Sequence, residues 1–489
     1  MRVEWAGCAG TANRPLLGSD SVRVEWAGSG PGLLVTIDRA SATGLRAQLE
    51  DQLRAAIRAG RLAAGEPVPS SRELARSLGL FRGLVQDCYA QLQAEGYLTS
   101  RPGAATRVSH TAATPAGEVA PRPSPVVRRH ALADFRHGVP DLGLVPREAW
   151  AWAVREACRS APNAAFDYGE HTGQPRLREV LASYLARVRA AAVTPGDVIV
   201  CGGMQQALSL VVAALADAGI GPLAFEDPGS GTTVSELAAV AGLPVVPVPV
   251  DPGGLDVRAL RAGGARAVLV TPAHQWPTGV VLTGPRRQAL IAWARDCDGL
   301  IIEDDYDAEF RYDRDPVGSL QGLAPDRVVS LGTVSKSLAP ALRLGWIVAP
   351  PRLHARLARA KWLADRGSPA LDQLALAILI ESGRFDRHLR RARAEYAARR
   401  EILLAALARH APRLRVTGPA AGFHAVLHLP DEAAVIAAAA VRGVGLYGMA
   451  AMHHGAATPR PQLILGFGDT PRRAVEPAIA AVADLLGGG

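Results

Sequence analysis

The sequence predicts an α/β chain of two folded units: a small helical unit closed by a β-hairpin, then a large unit built on a doubly wound, mostly parallel sheet. Three observations predict it. Leucine and isoleucine recur every four residues near the N-terminus, the mark of a one-sided helix. Between residues 198 and 348, seven short apolar runs alternate with helical stretches, as in sheets covered on both faces. A length of 489 residues also exceeds what one domain ordinarily holds.

Composition narrows the class. Hydrophobic residues make up 48% and charged residues 20%, as in a soluble globular protein. No apolar run reaches bilayer-spanning length. The N-terminus lacks the basic stretch and apolar core of a signal peptide. The five cysteines (Cys8, Cys88, Cys158, Cys201, Cys297) are odd in number and scattered. They suit reduced thiols in a cytoplasm, not a disulfide framework or a metal site. A net charge of +8 permits nucleic-acid binding without demonstrating it. Nearly all positive charge is arginine; the only two lysines are Lys336 and Lys361. Chemistry that requires a lysine amine therefore has two candidates.

Residues 1–39 read as irregular and are expected to be poorly ordered. The hexapeptide Arg-Val-Glu-Trp-Ala-Gly starts at Arg2 and again at Arg23, too few copies for a solenoid; a local duplication or an over-extended start accounts for it. The first folded unit covers 40–109. Leu45, Leu49, Leu53 and Ile57 line one helix, which Gly60 ends. Ser70 and Glu73 form a capping box for a second helix that stops near Gly79. Leu84, Val85, Cys88, Tyr89 and Leu92 face inward on a third. Gly96-Tyr97-Leu98 opens a strand that Pro102-Gly103 turns into a hairpin. Three helices and a hairpin make a winged helix, whose third helix usually enters the major groove; an ordinary helical domain fits the same pattern. Residues 110–130, rich in Thr, Ala, Pro and Arg, read as a semi-rigid linker. The second unit is 131–489.

Its expected strands are 198–201, 222–226, 244–250, 267–271, 299–303, 328–331 and 344–348. In such sheets ligands bind outside the carboxyl ends of the strands, and four motifs fall there. Gly332-Thr-Val-Ser-Lys-Ser-Leu338 places Lys336 in a tight turn, where desolvation activates an amine toward an aldehyde. Thr333 and Ser335 offer hydroxyls to an anion, and Arg343 a bidentate phosphate grip. Residues 299–307 deliver Asp304, Asp305, Tyr306 and Asp307: a carboxylate that keeps a pyridine nitrogen protonated, and a phenol for its ring oxygen. A divalent-metal site of the three aspartates competes, but no second acidic cluster completes it. Gly203, Met204 and Gln205 turn a strand into a helix start suited to a phosphate. His274, in a Thr-Pro-Ala-His-Gln-Trp-Pro-Thr-Gly block, converges on the same edge; a plain loop histidine is the alternative.

Residues 60–75 and 92–98 resemble the GntR-type winged-helix signature. The run Ile301-Ile-Glu-Asp-Asp-Tyr-Asp-Ala-Glu-Phe-Arg-Tyr312 and the His274 block resemble the MocR subfamily of GntR regulators, over roughly residues 40–486. That resemblance implies a winged helix fused to a domain similar to the fold-type-I aminotransferases, with a small C-terminal α+β subdomain and pyridoxal 5′-phosphate as cofactor. By similarity Lys336 carries the cofactor, Asp304 pairs with the pyridine nitrogen and Tyr306 meets the phenolic oxygen. Arg343, Thr333, Ser335 and the turn at Gly203, Met204 and Gln205 hold the phosphate, with His274 nearby. Tyr168 reaches a neighbouring subunit's phosphate, which implies a homodimer with shared sites, with domain swapping as one form. Ser71, Arg72 and Arg82 are the DNA contacts, chemically suited to phosphates or bases. The partners implied are a DNA operator and an effector that is a small amino compound or pyridoxal phosphate itself. Vitamin-B6 synthesis, aminobutyrate use and amino-sulfonate use are the family's analogies.

The chain also departs from the pattern. Where the family has Ser-Arg-Asn-Thr at the recognition helix, this sequence has Phe81-Arg82-Gly83-Leu84, and the wing reads Gly103-Ala-Ala-Thr-Arg107. Ser230 stands where an aromatic residue would stack on the cofactor. Residues 449–453 read Met-Ala-Ala-Met-His, without a substrate-carboxylate arginine; Arg460 is the substitute candidate. Three readings follow: a cofactor-responsive regulator with at most a transamination half-reaction, a working aminotransferase carrying a winged helix, and a fusion whose DNA module has decayed.

Overall fold

The computed structural model describes residues 2–4, 21–26, 33–101, 104–110, 131–307, 309–312, 318–419, 421–455 and 460–487, in two units, Met1–Val127 and Arg128–Gly489. The Pro102-Gly103 turn, residues 111–130 of the expected linker and Cys8 lie outside the described residues. The four described cysteines form no disulfide. No helix among the described residues is long and apolar enough to cross a membrane.

The first unit departs from expectation at its start. Residues 1–39, expected to be irregular, contain three strands, β1 (Arg2–Glu4), β2 (Ser21–Trp26) and β3 (Leu33–Asp38). The first three residues of the two hexapeptide copies pair antiparallel, Arg2 opposite Glu25 and Glu4 opposite Arg23, and β2 pairs with β3. The physical reason is in β3 and the next helix, α1 (Leu45–Arg58). Val35 and Ile37, two apart, are buried in the same core as Leu49, Leu53 and Ile57. Gln52 exchanges two amide hydrogen bonds with the Thr36 backbone (2.8 and 2.6 Å), and Gln48 two with Asp38 (2.9 and 2.8 Å). Two glutamines one helical turn apart thus read alternate residues of a strand, satisfying backbone groups that would otherwise be unpaired.

Helix α2 (Ser71–Leu78) begins as expected: Ser70 Oγ accepts from the Glu73 N–H (3.2 Å). Gly79, at φ +61°, ends it in the left-handed conformation, as glycine caps do. Helix α3 (Arg82–Ala94) buries Val85, Cys88, Tyr89 and Leu92. Strands β4 (Leu98–Thr99) and β5 (Arg107–Val108) pair antiparallel, completing the winged helix.

The second unit opens with β6 (Ala133–Asp134), α4 (Arg147–Ser160) and α5 (Pro175–Arg189). Then come β7 (Val198–Cys201), α6 (Met204–Asp217), β8 (Leu223–Asp227), α7 (Gly231–Ala241), β9 (Val245–Asp251), β10 (Gly254–Leu255) and α8 (Val257–Ala262). The sheet is completed by β11 (Ala267–Val270), β12 (Leu300–Asp305), β13 (Val328–Thr333) and β14 (Gly345–Val348), with α9 (Gly284–Asp296) between β11 and β12. The order is β10-β9-β8-β11-β12-β13-β14-β7. Strands β9, β8, β11, β12 and β13 run parallel; β14 is antiparallel to both β13 and β7. Side chains alternate between faces, as a strand requires: Leu269 and Ile302 point to one core, Val268 and Ile301 to the other. Burial on both sides is why these strands read as unbroken apolar runs.

Helices α10 (Pro351–Asp365), α11 (Ala370–Glu381) and α12 (Arg384–His410) lead to the C-terminal α+β subdomain. There β15 (Arg415–Thr417), β16 (His424–His428) and, later in the chain, Gln462–Gly466 form an antiparallel sheet. Helix α13 (Glu432–Val441) leads to β17 (Val444–Gly445), which pairs parallel with β6, so the unit's first strand joins its last subdomain. The third sheet strand, β18 (Gln462–Gly466), is followed by α14 (Arg472–Ala481) and α15 (Ala483–Gly487).

Candidate functional site

Because β7 is antiparallel to β14, and β14 to β13, the carboxyl ends of β7, β8, β11, β12 and β13 share one edge of the sheet. A cavity of about 420 Å³ opens there, and Asp304, Tyr306, Thr333, Ser335, Lys336 and Arg343 line it with Met204 and Gln205. Gly138, Ser230, Trp276 and Pro340 complete the wall.

Strand β13 ends at Thr333, whose Oγ1 accepts from the Ser335 N–H (3.1 Å) and shares a hydrogen bond with Ser335 Oγ (2.9 Å). That closed turn projects Lys336 into the cavity, where Nζ donates to the Gly138 carbonyl. Burial lowers the Lys336 pKa, against the opposing pull of Asp307 and Asp304, so a neutral amine is easier to reach than at the surface. Lys361, the other lysine, is buried in α10 and held by Asp365 (2.7 and 2.6 Å) and Ser368 (2.8 Å); it is a structural ion pair away from the cavity.

At the end of β12 the acids separate. Asp305 takes the Arg189 guanidinium in a bidentate pair (2.7 and 2.9 Å). Asp307 Oδ2 accepts from His274 Nδ1 (2.8 Å), both side chains 2% exposed. Asp304 Oδ1 is buried without a partner. Burial, then Asp305 and Asp307, push the Asp304 carboxyl up to about 8. Two of the three aspartates are thus engaged by protein partners, and among the described residues no group of histidines, cysteines and acids that could hold a metal ion is found.

His274 is not among the residues that line the cavity; it stands directly behind one of them. With Nδ1 committed to Asp307, it backs Tyr306, whose hydroxyl donates to the His274 carbonyl (3.0 Å) and lies 3.2 Å from Nδ1. The Tyr306 oxygen is thereby fixed with its own proton turned to the protein. Glu226, at the end of β8, anchors this block. It accepts from the Thr271 N–H (3.0 Å), Thr271 Oγ1 (2.6 Å) and Gln275 Nε2 (3.3 Å), while burial pushes its carboxyl up to about 7.

The start of α6 is shaped by two glycines and Arg343. Gly203 (φ +85°) caps the start of α6, and a Cβ there would meet the Arg343 guanidinium at 3.2 Å. A Cβ on Gly345 would meet the Gly203 Cα at 2.8 Å, so glycine at both positions lets β14 press against the helix start. Arg343 itself is left-handed, φ +49°, a cost of about 1–3 kcal/mol for a non-glycine residue; it holds the guanidinium over the turn, donating to the Gly202 carbonyl.

These residues fit pyridoxal phosphate. The unpartnered Asp304 Oδ1 needs an N–H donor, the α6 start with Arg343, Thr333 and Ser335 offers donors to an anion, and Lys336 supplies the amine. Tyr168, expected at a neighbouring subunit's site, and Arg460 do not line this cavity. Tyr168 is 79% exposed, under the Arg366 guanidinium. Arg460 lines a separate cavity with Arg415, His428 and Gln462, so it is not a grip inside the first one. Sequence reasoning missed Gly138, whose contact to Lys336 spans 198 positions, and Pro340; neither carries a local signal.

In the first unit, Arg72 and Arg82 are exposed and Ser71 half-buried, on α2 and at the first position of α3.

Residues 134–459 match the family Aminotransferase class I and II, and residues 45–108 match Bacterial regulatory proteins, gntR family. The chain is 34% identical over 447 residues to the HTH-type pyridoxine biosynthesis transcriptional regulator PdxR of Corynebacterium glutamicum, covering 91% of this chain and 96% of that one. It is 34% identical over 395 residues to the probable rhizopine catabolism regulatory protein MocR of Rhizobium meliloti, covering 77% and 80%. Among solved structures, LysN, an alpha-aminoadipate aminotransferase from Thermus thermophilus complexed with N-(5'-phosphopyridoxyl)-L-leucine, matches with a TM-score of 0.64 at 26% identity, over 72% of this chain and 91% of that one. With a gntR-type helix-turn-helix unit and an aminotransferase-like unit joined in one chain, as along nearly the whole of the first relative, this protein belongs to the MocR-type GntR transcription regulators.

Proposed function

We propose that the larger unit holds pyridoxal phosphate on Lys336 and reads that cofactor, or an amino compound presented to it, as the signal that sets DNA binding by the smaller unit. When bound, the cofactor supplies an aldehyde for amines and an electron-withdrawing ring. Asp304 is the acceptor for the ring N–H. Tyr306, its proton engaged by the His274 carbonyl, offers its oxygen to the ring hydroxyl. Arg343, Thr333, Ser335 and the α6 start at Gly203, Met204 and Gln205 hold the phosphate. The exposed Tyr168 is the residue for a second copy's phosphate, which favours a homodimer. Ser71, Arg72 and Arg82 contact the operator, in the cytoplasm.

One observation carries the regulator reading over sustained catalysis. Among the described residues the only cations lining the cavity are Lys336 and Arg343, and both serve the cofactor. An amino-acid carboxylate finds no third. Near Trp276, where the family has its altered stretch, Met449 is buried with Val426 and Ile464 in an apolar cluster. A misplaced substrate costs on the order of a hundredfold in rate. The purified chain should therefore complete at most a half-reaction with amino acids, and its DNA affinity should change on loading with pyridoxal phosphate. Transfer to a keto acid over many equivalents would make it an aminotransferase; equal DNA affinity with and without cofactor would remove the sensor role. Because one relative is named for pyridoxine biosynthesis, pyridoxal phosphate is the first effector to titrate.

A further inference from the structure

The head of α3 breaks two local rules in one residue. Phe81 is the N-cap, yet makes no side-chain cap bond, where a hydroxyl or carboxylate would satisfy a free N–H. It is also 87% exposed, an aromatic ring in water, although the other large apolar side chains of α2 and α3 pack inward. Departures from local consistency of this kind gather at functional surfaces.

Its surroundings say what covers it. Arg82, Gly83 and Gln86, which follow it on the first turns of α3, are exposed, as is Arg72 on α2. The first turn of α3 carries no acid, leaving the helix start open to phosphate. A Cβ on Gly83 would meet nothing within 4 Å, so space in front of the helix is clear. A polyanion with an apolar feature in reach is what this surface complements. In the major groove the bases display donors and acceptors, and one apolar group, the C5-methyl of thymine.

We propose that Phe81 reads sequence: its ring packs on a thymine methyl in the major groove, beside bases within reach of Arg82 and Gln86. This rests on α3 being the helix that enters the groove. The test uses the full-length chain and an operator selected with it from a randomised duplex pool. Each thymine is replaced singly by uracil, which removes the methyl and nothing else. Wild-type chain should bind about fourfold more weakly at one thymine of each half-site, the factor for one buried methyl, and Phe81→Ser should bind both duplexes equally there. A scan with no sensitive thymine, or one that Phe81→Ser leaves unchanged, overturns the proposal. So does a Phe81→Ser variant that changes only the oligomeric state, which would place the ring against a second copy. Arg82→Ala separates the two levels: if it binds as wild type, the α3 reading fails; if it weakens binding while the uracil scan is flat, only Phe81 fails.

Discussion

Replacing Asp304 by Asn probes the cavity through stability, without any chemistry. Burial, Asp305 and Asp307 move this carboxyl from its ordinary 3.8 to about 8. In the cofactor-free fold it is thus protonated at pH 7, whereas in the unfolded chain it is ionised. The folded state binds the extra proton, so stability falls as pH rises from about 4 to about 8 and is level beyond. At about 1.36 kcal/mol per unit the ceiling at pH 7 is about 4 kcal/mol; because Asp304 lines an open cavity, water should reduce that to about 2 kcal/mol. Asparagine keeps the shape without titrating. The cofactor-free Asp304→Asn chain should therefore be the more stable of the two at pH 7, by about 2 kcal/mol in urea unfolding, with the gap closing toward pH 5. Cofactor affinity should move the other way. Loss of a charge-assisted bond of about 1.5–3 kcal/mol means roughly a tenfold to hundredfold weaker complex, read by quenching of protein fluorescence. Parallel stability curves for wild type and variant from pH 5 to 8.5, or unchanged cofactor affinity, would refute the assignment of Asp304.

Lys336→Ala should abolish the visible absorption of the bound cofactor, while Lys361→Ala keeps it and loses about 2 kcal/mol of stability from its broken ion pair; a normal band in Lys336→Ala would move the anchor. Arg72→Ala and Arg82→Ala should each weaken operator binding. A phosphate contact would flatten the salt slope by about one unit, and a base contact would relax one position by about 1–3 kcal/mol. Wild-type affinity in both variants would refute the DNA face. Arg189→Ala strands the Asp305 carboxylate, 13% exposed, and should cost about 3–5 kcal/mol in chemical denaturation; a loss below about 1 kcal/mol would show that the pair is structurally idle.

Most of the sheet was legible because strands covered on both faces have no polar side to show, so 198–201 or 299–303 stand out as apolar runs. The site followed from it, since Asp304, Tyr306 and Lys336 fall directly after strand ends. What stayed hidden depends on contacts between distant segments. Gln48 and Gln52 read as an ordinary solvent face until β3 lies against them, so the docking of Val35 and Ile37 had no visible cause. Strand β10 is two residues long, too short for any pattern. The place of His274 behind Tyr306 is set by Asp307, 33 positions later, and that of Arg460 by a chain path that no periodicity encodes.

The seclusion of both lysines leaves arginine to carry the surface charge. Residues 40–109 contain none, Lys361 is fully buried and Lys336 faces the cavity. Guanidinium groups stay protonated throughout the physiological range, and the acyl groups and small proteins that cells attach to lysine amines find no acceptor on the DNA-binding unit. Its attraction to phosphate is therefore not open to adjustment by lysine modification. Reagents that couple to primary side-chain amines should, among the described residues, single out Lys336, which makes the cavity addressable by covalent labelling in the intact protein.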